Sequence, residues 1–160
     1  MKTPDIPVNE QARLQSLHDS GLLDAAPTER FDRLTRLAKR LFNSPVALIS
    51  LVDQERLWFA SCDGVEPGPV PRRVSFCGHT ILNNAPLIIP DAQSDDRFRD
   101  NPLVNGPPHI RFYAGCRCAC RMARPQARCA SLIPSRASSA RPTPCCCAIS
   151  RPLWKMSSPC

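Results

Sequence analysis

Cys77 and His79 stand two residues apart in Ser75-Phe76-Cys77-Gly78-His79-Thr80, the nearest thing in the chain to a thiol–imidazole pair. Nucleophilic catalysis needs the base within hydrogen-bond reach of the thiol. On a helix, residues two apart point in different directions, so the expectation is a structural cysteine beside a histidine that lines a pocket. Arg111 alternates with Tyr113 in Ile110-Arg111-Phe112-Tyr113-Ala114. A guanidinium reads a carboxylate or phosphate with two bonds, and a salt bridge to a loop aspartate competes with that role. Trp58 is either a stacking platform or a core and domain-contact residue. Asp91 and Asp95 could hold a ligand, or simply form the turn after Pro90. Residues 1–115 show no paired metal ligands, nucleophile elbow, phosphate loop or catalytic dyad. The chemistry to expect is binding, without catalysis.

Helices and short strands must position these groups. Asn9 to Leu23 has loosely periodic Ala12, Leu14, Leu17 and Leu22, with Gly21 placed to end a helix. A second helix starts near Pro27 and Glu29. It carries Phe31, Leu34, Leu37, Ala38, Leu41 and Phe42 on one face and stops at Asn43-Ser44-Pro45. Its arginines and lysines read as a solvated face rather than a nucleic-acid surface. Val46 to Val52 is apolar on both faces apart from Ser50, the pattern of a strand covered on two sides. Leu57 to Cys62 returns across the polar turn Asp53-Gln54-Glu55-Arg56 as a hairpin partner. Pro67 to Pro71 then predicts a loop without regular structure. Ser75 is placed to cap a short helix over Phe76 to Asn83. Pro86 to Pro90 predicts a short edge strand, and Ile110 to Ala114 another strand.

Arg13-Leu14-Gln15-Ser16-Leu17, Gly21-Leu22-Leu23-Asp24, the pair Trp58-Phe59 and the stretch Val74 to Gly115 together resemble a GAF domain. The resemblance is to those at the front of bacterial diguanylate cyclases and sensor histidine kinases, and it covers residues 8–115, after an N-terminal arm at 1–7. It implies an α+β, profilin-like fold: a central antiparallel sheet, helices on both sides, and a small-molecule pocket beneath residues 74–109. The implied ligand-binding set is Trp58, Cys77, His79, Asp91, Arg111 and Tyr113. The N-K-F-D-E signature of the cyclic-nucleotide members is missing, and Cys77 lacks a bilin-attachment context, so no cofactor is specified. The expected function is a sensory, small-molecule-binding and dimerising module of bacterial signal transduction. Its partners would be a second copy or the output domain of another signalling chain, and neither nucleic acid nor membrane. The alternative is the GAF-fold, thiol-dependent reductase of free methionine sulfoxide, for which only Cys62 and Cys77 are on hand.

The chain's 160 residues suit one domain, and its net charge of +7 is an average over two unlike parts. Residues 1–115 hold 13 Lys or Arg against 14 Asp or Glu, whereas residues 116–160 hold 8 basic residues and no acid. Eight of the ten cysteines also follow Gly115. Two cysteines in the body suit a reducing cytosol, and neither a secretory signal nor a membrane-length apolar run is present; the expected location is the cytoplasm.

Arg, Pro, Ser, Ala and Cys make up 35 of the last 45 residues. A metal-binding tail would show paired C-x2-C or H-x3-H ligands, which Cys116-Arg117-Cys118-Ala119-Cys120 and Cys145-Cys146-Cys147 do not supply. Read one base out of register, however, the same codons permit a strand, an Asp-Gly turn and a G-T-L-C strand over Gln126 to Cys129. An acidic amphipathic helix then follows. Such an ending is similar to that of GAF domains, so the tail is expected to be out-of-frame translation. It would be disordered, with no strand to lay beside Val46 to Val52. The domain would be incomplete at its C-terminus, non-functional and unfolded or aggregated.

Overall fold

The computed structural model describes residues 1–66, 68–120 and 127–129. At its centre lies β1 (Ala47–Val52), buried along its whole length. It pairs antiparallel with β2 (Arg56–Asp63), and Asp53 N–H donates to the Arg56 carbonyl (2.9 Å) to close the hairpin. The register slips between Ile49 and Ser50: Ile49 faces Ser61 while Ser50 faces Phe59, leaving Ala60 as an extra residue. This is a β-bulge. Immediately past β2, Gly64 adopts φ +100°, and a Cβ there would meet the Pro45 carbonyl oxygen at 1.9 Å. Only glycine fits that approach.

Helices cover both faces of the sheet. On one side α1 (Glu10–Asp19) brings Leu17 against Leu51, with Trp58 and Ala60 packed around the pair. There α2 (Glu29–Leu41) also lies across β1 and β2. On the other side α3 (Phe76–Thr80) contributes Cys77 to a core of Leu48, Val52, Leu57 and Ile81. Ser75 caps α3 as expected, its Oγ accepting from Gly78 N–H at 3.0 Å. Beyond α3, β4 (Leu87–Ile89) and β5 (Tyr113–Gly115) form a separate two-stranded antiparallel sheet. The one-turn α4 (Pro102–Asn105) packs Val104 beside them.

Four expectations need correction. Val70–Pro71 forms a two-residue strand, β3, against Arg56 and Leu57, where a loop was expected. Proline is tolerated there because β3 is an edge. The strand predicted over Ile110 to Ala114 is shifted to Tyr113–Gly115, since Arg111 and Ile110 are held by turn contacts: Ala92 N–H donates to the Arg111 carbonyl and Ile110 N–H to the Leu103 carbonyl.

The tail does offer strands. β6 (Cys118–Cys120) and β7 (Ala127–Cys129) pair with each other, and Cys129 pairs with Leu51, giving the sheet order β3-β2-β1-β7-β6. Strand pairing is made by backbone groups, which a side-chain pattern biases but does not supply. The buried edge of β1 requires such a partner. The acidic closing helix expected of a displaced frame would fall on residues outside those described.

The second helix also sits differently from its pattern. Its sheet-facing line is polar: Thr35 is buried and bonded to Ser61 Oγ at 2.8 Å, Ser61 donates to Asp32 at 2.7 Å, and Lys39 pairs with Asp63 at 2.6 Å. The apolar stripe is turned aside, leaving Leu34, Leu37 and Leu41 exposed at 44%, 42% and 62%.

Candidate functional site: an apolar cavity beside the sheet

A cavity of about 460 Å³ lies on the α3 face of the sheet. Its floor is Leu48, Leu57 and Phe59, its α3 wall is Phe76 and Cys77, and its outer side is the Gly68 to Val70 segment together with Pro107 to Phe112. The floor follows from strand alternation: Leu57 and Phe59 face the cavity while Trp58 and Ala60 face α1. Cys62 reaches the cavity because the bulge at Ala60 shifts the alternation by one residue.

Of the six residues anticipated, Cys77 and Arg111 line the cavity, and the other four lie elsewhere. Trp58 packs on the opposite face with Leu17 and Leu51, and the Arg56 guanidinium sits 5.8 Å from its ring. His79 is buried, donates from Nε2 to the Lys2 carbonyl at 3.0 Å, and meets Phe98 edge-on at 4.9 Å. Burial depresses its pKa, the Lys2 carbonyl opposes that shift, and the charge of Arg97 adds to it. Asp91 is exposed and forms a turn, accepting from Gln93 N–H at 3.0 Å and Ser94 Oγ at 2.7 Å. Tyr113 is fully buried, stacked on Phe76 at 5.0 Å.

Cys62 and His109 line the cavity and were not in the anticipated set. Burial pushes the Cys62 thiol up, keeping it protonated at neutral pH. His109 adopts φ 58°, a left-handed conformation that follows Gly106-Pro107-Pro108. That dense run of turn formers was the available signal for a shaped loop; nothing in the sequence said that it borders a cavity.

The cavity is thus apolar in its body, with Arg111, His109 and Glu66 as its ionisable side chains besides the thiols. Among the described residues no group of three or more His, Cys, Asp or Glu could hold a metal, and no helix is long and apolar enough to cross a membrane.

An antiparallel sheet with helices on both faces and a loop-bordered cavity on one of them makes this an α+β domain. A family model described as "GAF domain" matches residues 26–117, and the chain belongs to that family. It is 43% identical over 115 residues to a cyclic di-GMP phosphodiesterase of Pseudomonas aeruginosa, a bacterial signalling protein. The match covers 72% of this chain but only 20% of that protein, so the chain spans about a fifth of the relative's length. In fold it is similar to the GAF domain of A. aeolicus nlh2 in an inactive state, with TM-score 0.49 and 11% identity over 79% of this chain and 83% of that one.

Proposed function

We propose that this GAF domain is a sensory module that binds a small molecule in the cavity and performs no catalysis. The cavity itself carries the reading: about 460 Å³ of mostly apolar space, between rigid strands and two loops, is the size and character of a ligand site. Occupancy would order the loops around Val70 and His109, and that change would pass to a second copy or to an output domain in the cytoplasm. The similarity to a cyclic di-GMP phosphodiesterase supports an output of that kind. The test is ligand-observed NMR with a fragment library on the full chain and on Val70→Trp, which fills the cavity from an edge strand. Fragments should bind the parent and lose binding in the variant; hits that persist unchanged in Val70→Trp would sink the reading.

A thiol-dependent reductase of free methionine sulfoxide is the second reading, because Cys62 and Cys77 line the same cavity. Two thiols would reduce the sulfoxide to sulfide and water and become a disulfide. The raised pKa of Cys62 works against it, since the thiolate is the nucleophile. Turnover of free methionine sulfoxide with dithiothreitol, lost in Cys62→Ser, would favour this reading over the first.

The tail fits out-of-frame translation, which would leave the domain impaired. Its composition supports this, and so does the position of Ala127–Cys129 beside β1, where the displaced frame permits G-T-L-C. The nucleotide sequence for residues 116–160 decides it: a stop in the displaced frame would end the proposal.

A further inference from the structure

We propose that the cavity selects a singly charged carboxylic acid with a compact apolar body, an inference that rests on the binding role above. Apolar walls set the body of the ligand. Leu48, Leu57, Phe59, Val70, Phe76 and Ile110 offer no hydrogen bonds from their side chains. Shape and burial of hydrocarbon, aromatic or branched, would therefore hold most of the molecule.

Arg111 sets the head. Its Nη1 donates to the Val104 carbonyl at 2.8 Å and the Ile110 carbonyl at 3.4 Å, which anchors one corner of the guanidinium. Nε and Nη2 have no hydrogen-bond acceptor among the described residues. Those two N–H groups form the edge that matches a carboxylate with parallel bonds. A loop aspartate does not occupy it: Asp91 lies near enough to feel the charge of Arg111, but its own oxygens accept from Gln93 and Ser94.

The count of charges sets the valence. Beside one guanidinium stand the His109 imidazole, which offers a single N–H in its neutral form, Glu66 on the exposed loop after β2, and two thiols, of which Cys62 is held neutral. A phosphate or a dianion calls for several converging donors or cations. Here a single fork is available, so a monocarboxylate fits and a nucleotide does not.

The full chain, titrated by ligand-observed NMR with 2-naphthoate and with the isosteric, uncharged 2-naphthamide, tests the proposal. The acid should bind at least about tenfold more tightly than the amide, as a charged hydrogen bond in place of a neutral one allows. Arg111→Gln should abolish that preference while leaving the weaker amide binding in place. The comparison within the unmutated chain stands even where the variant's loop is disturbed. Equal binding of acid and amide overturns the carboxylate proposal and leaves the cavity reading intact. Binding of neither probe overturns both.

Discussion

Thr80 Oγ1 and Tyr113 Oη lie 2.6 Å apart, both side chains almost wholly out of water, and join α3 to β5 across 33 residues of sequence. Thr80 Oγ1 also lies 3.1 Å from the Phe76 carbonyl and Tyr113 Oη 3.9 Å from Cys77 Sγ, so either hydroxyl can donate in the pair. Tyr113→Phe keeps the ring stacked on Phe76 and removes the hydroxyl that bonds Thr80 and approaches Cys77. The expected loss of stability is about 0.5–1.5 kcal/mol, read as a lower urea midpoint at unchanged slope. A neutral result would mean that this bond does not hold the two elements together.

Glu10 is the acid that two arginines share. Arg13, 1% exposed, meets it through Nη2 and Nε at 2.7 Å each and donates to the Val52 carbonyl, while Arg72 reaches it from beyond β3. Glu10→Gln strands two buried cations, and a loss on the order of 3 kcal/mol is expected. Chemical denaturation of the variant checks this; a loss under about 1 kcal/mol would show that the arginines find other acceptors.

Acid should destabilise the fold in two windows. Burial depresses the pKa of His79 below its ordinary 6.5, so the unfolded chain takes up the proton first. Stability from this residue is whole above 6.5 and falls as pH drops from there toward the lowered value. At Glu10, burial would raise the carboxyl, but the hydrogen bonds from Arg13 and Arg72 outweigh it and hold the pKa below 4.5. Its contribution is present above 4.5 and lost as pH falls through the lowered value. Urea midpoints measured from pH 7.5 to 3.5 should decline in both windows, and His79→Gln should flatten the first alone. A first window unchanged in that variant would assign it to another group.

The exposed stripe of α2 should tolerate charge. Leu34→Glu and Leu41→Lys replace side chains that are 44% and 62% exposed, and each should change stability by no more than about 0.5 kcal/mol while reducing aggregation. Light scattering and thermal melts would show it. A large destabilisation would mean that the stripe is covered in solution.

Several features follow from the chain's own pattern. The two-sided apolar run from Val46 to Val52 could only be a central strand, and Ser75 ahead of Phe76 could only cap. The residues behind the GAF resemblance were likewise local. Those are short-range effects, written in residue type and spacing. Three others needed the tertiary structure. An extra residue at Ala60 turns Cys62 into the cavity, because a bulge arises from how two strands fit together. The polar line Asp32-Thr35-Lys39, not the leucine stripe, lies against the sheet, because Ser61 and Asp63 on β2 supply bonding partners that no helical period records. His79 and Tyr113 are locked into the core while Arg111 keeps a bare edge at the cavity, since a side chain's partners come from segments far away in sequence. Residue type limits what a group can do chemically, and only packing decides whether another group has already claimed it.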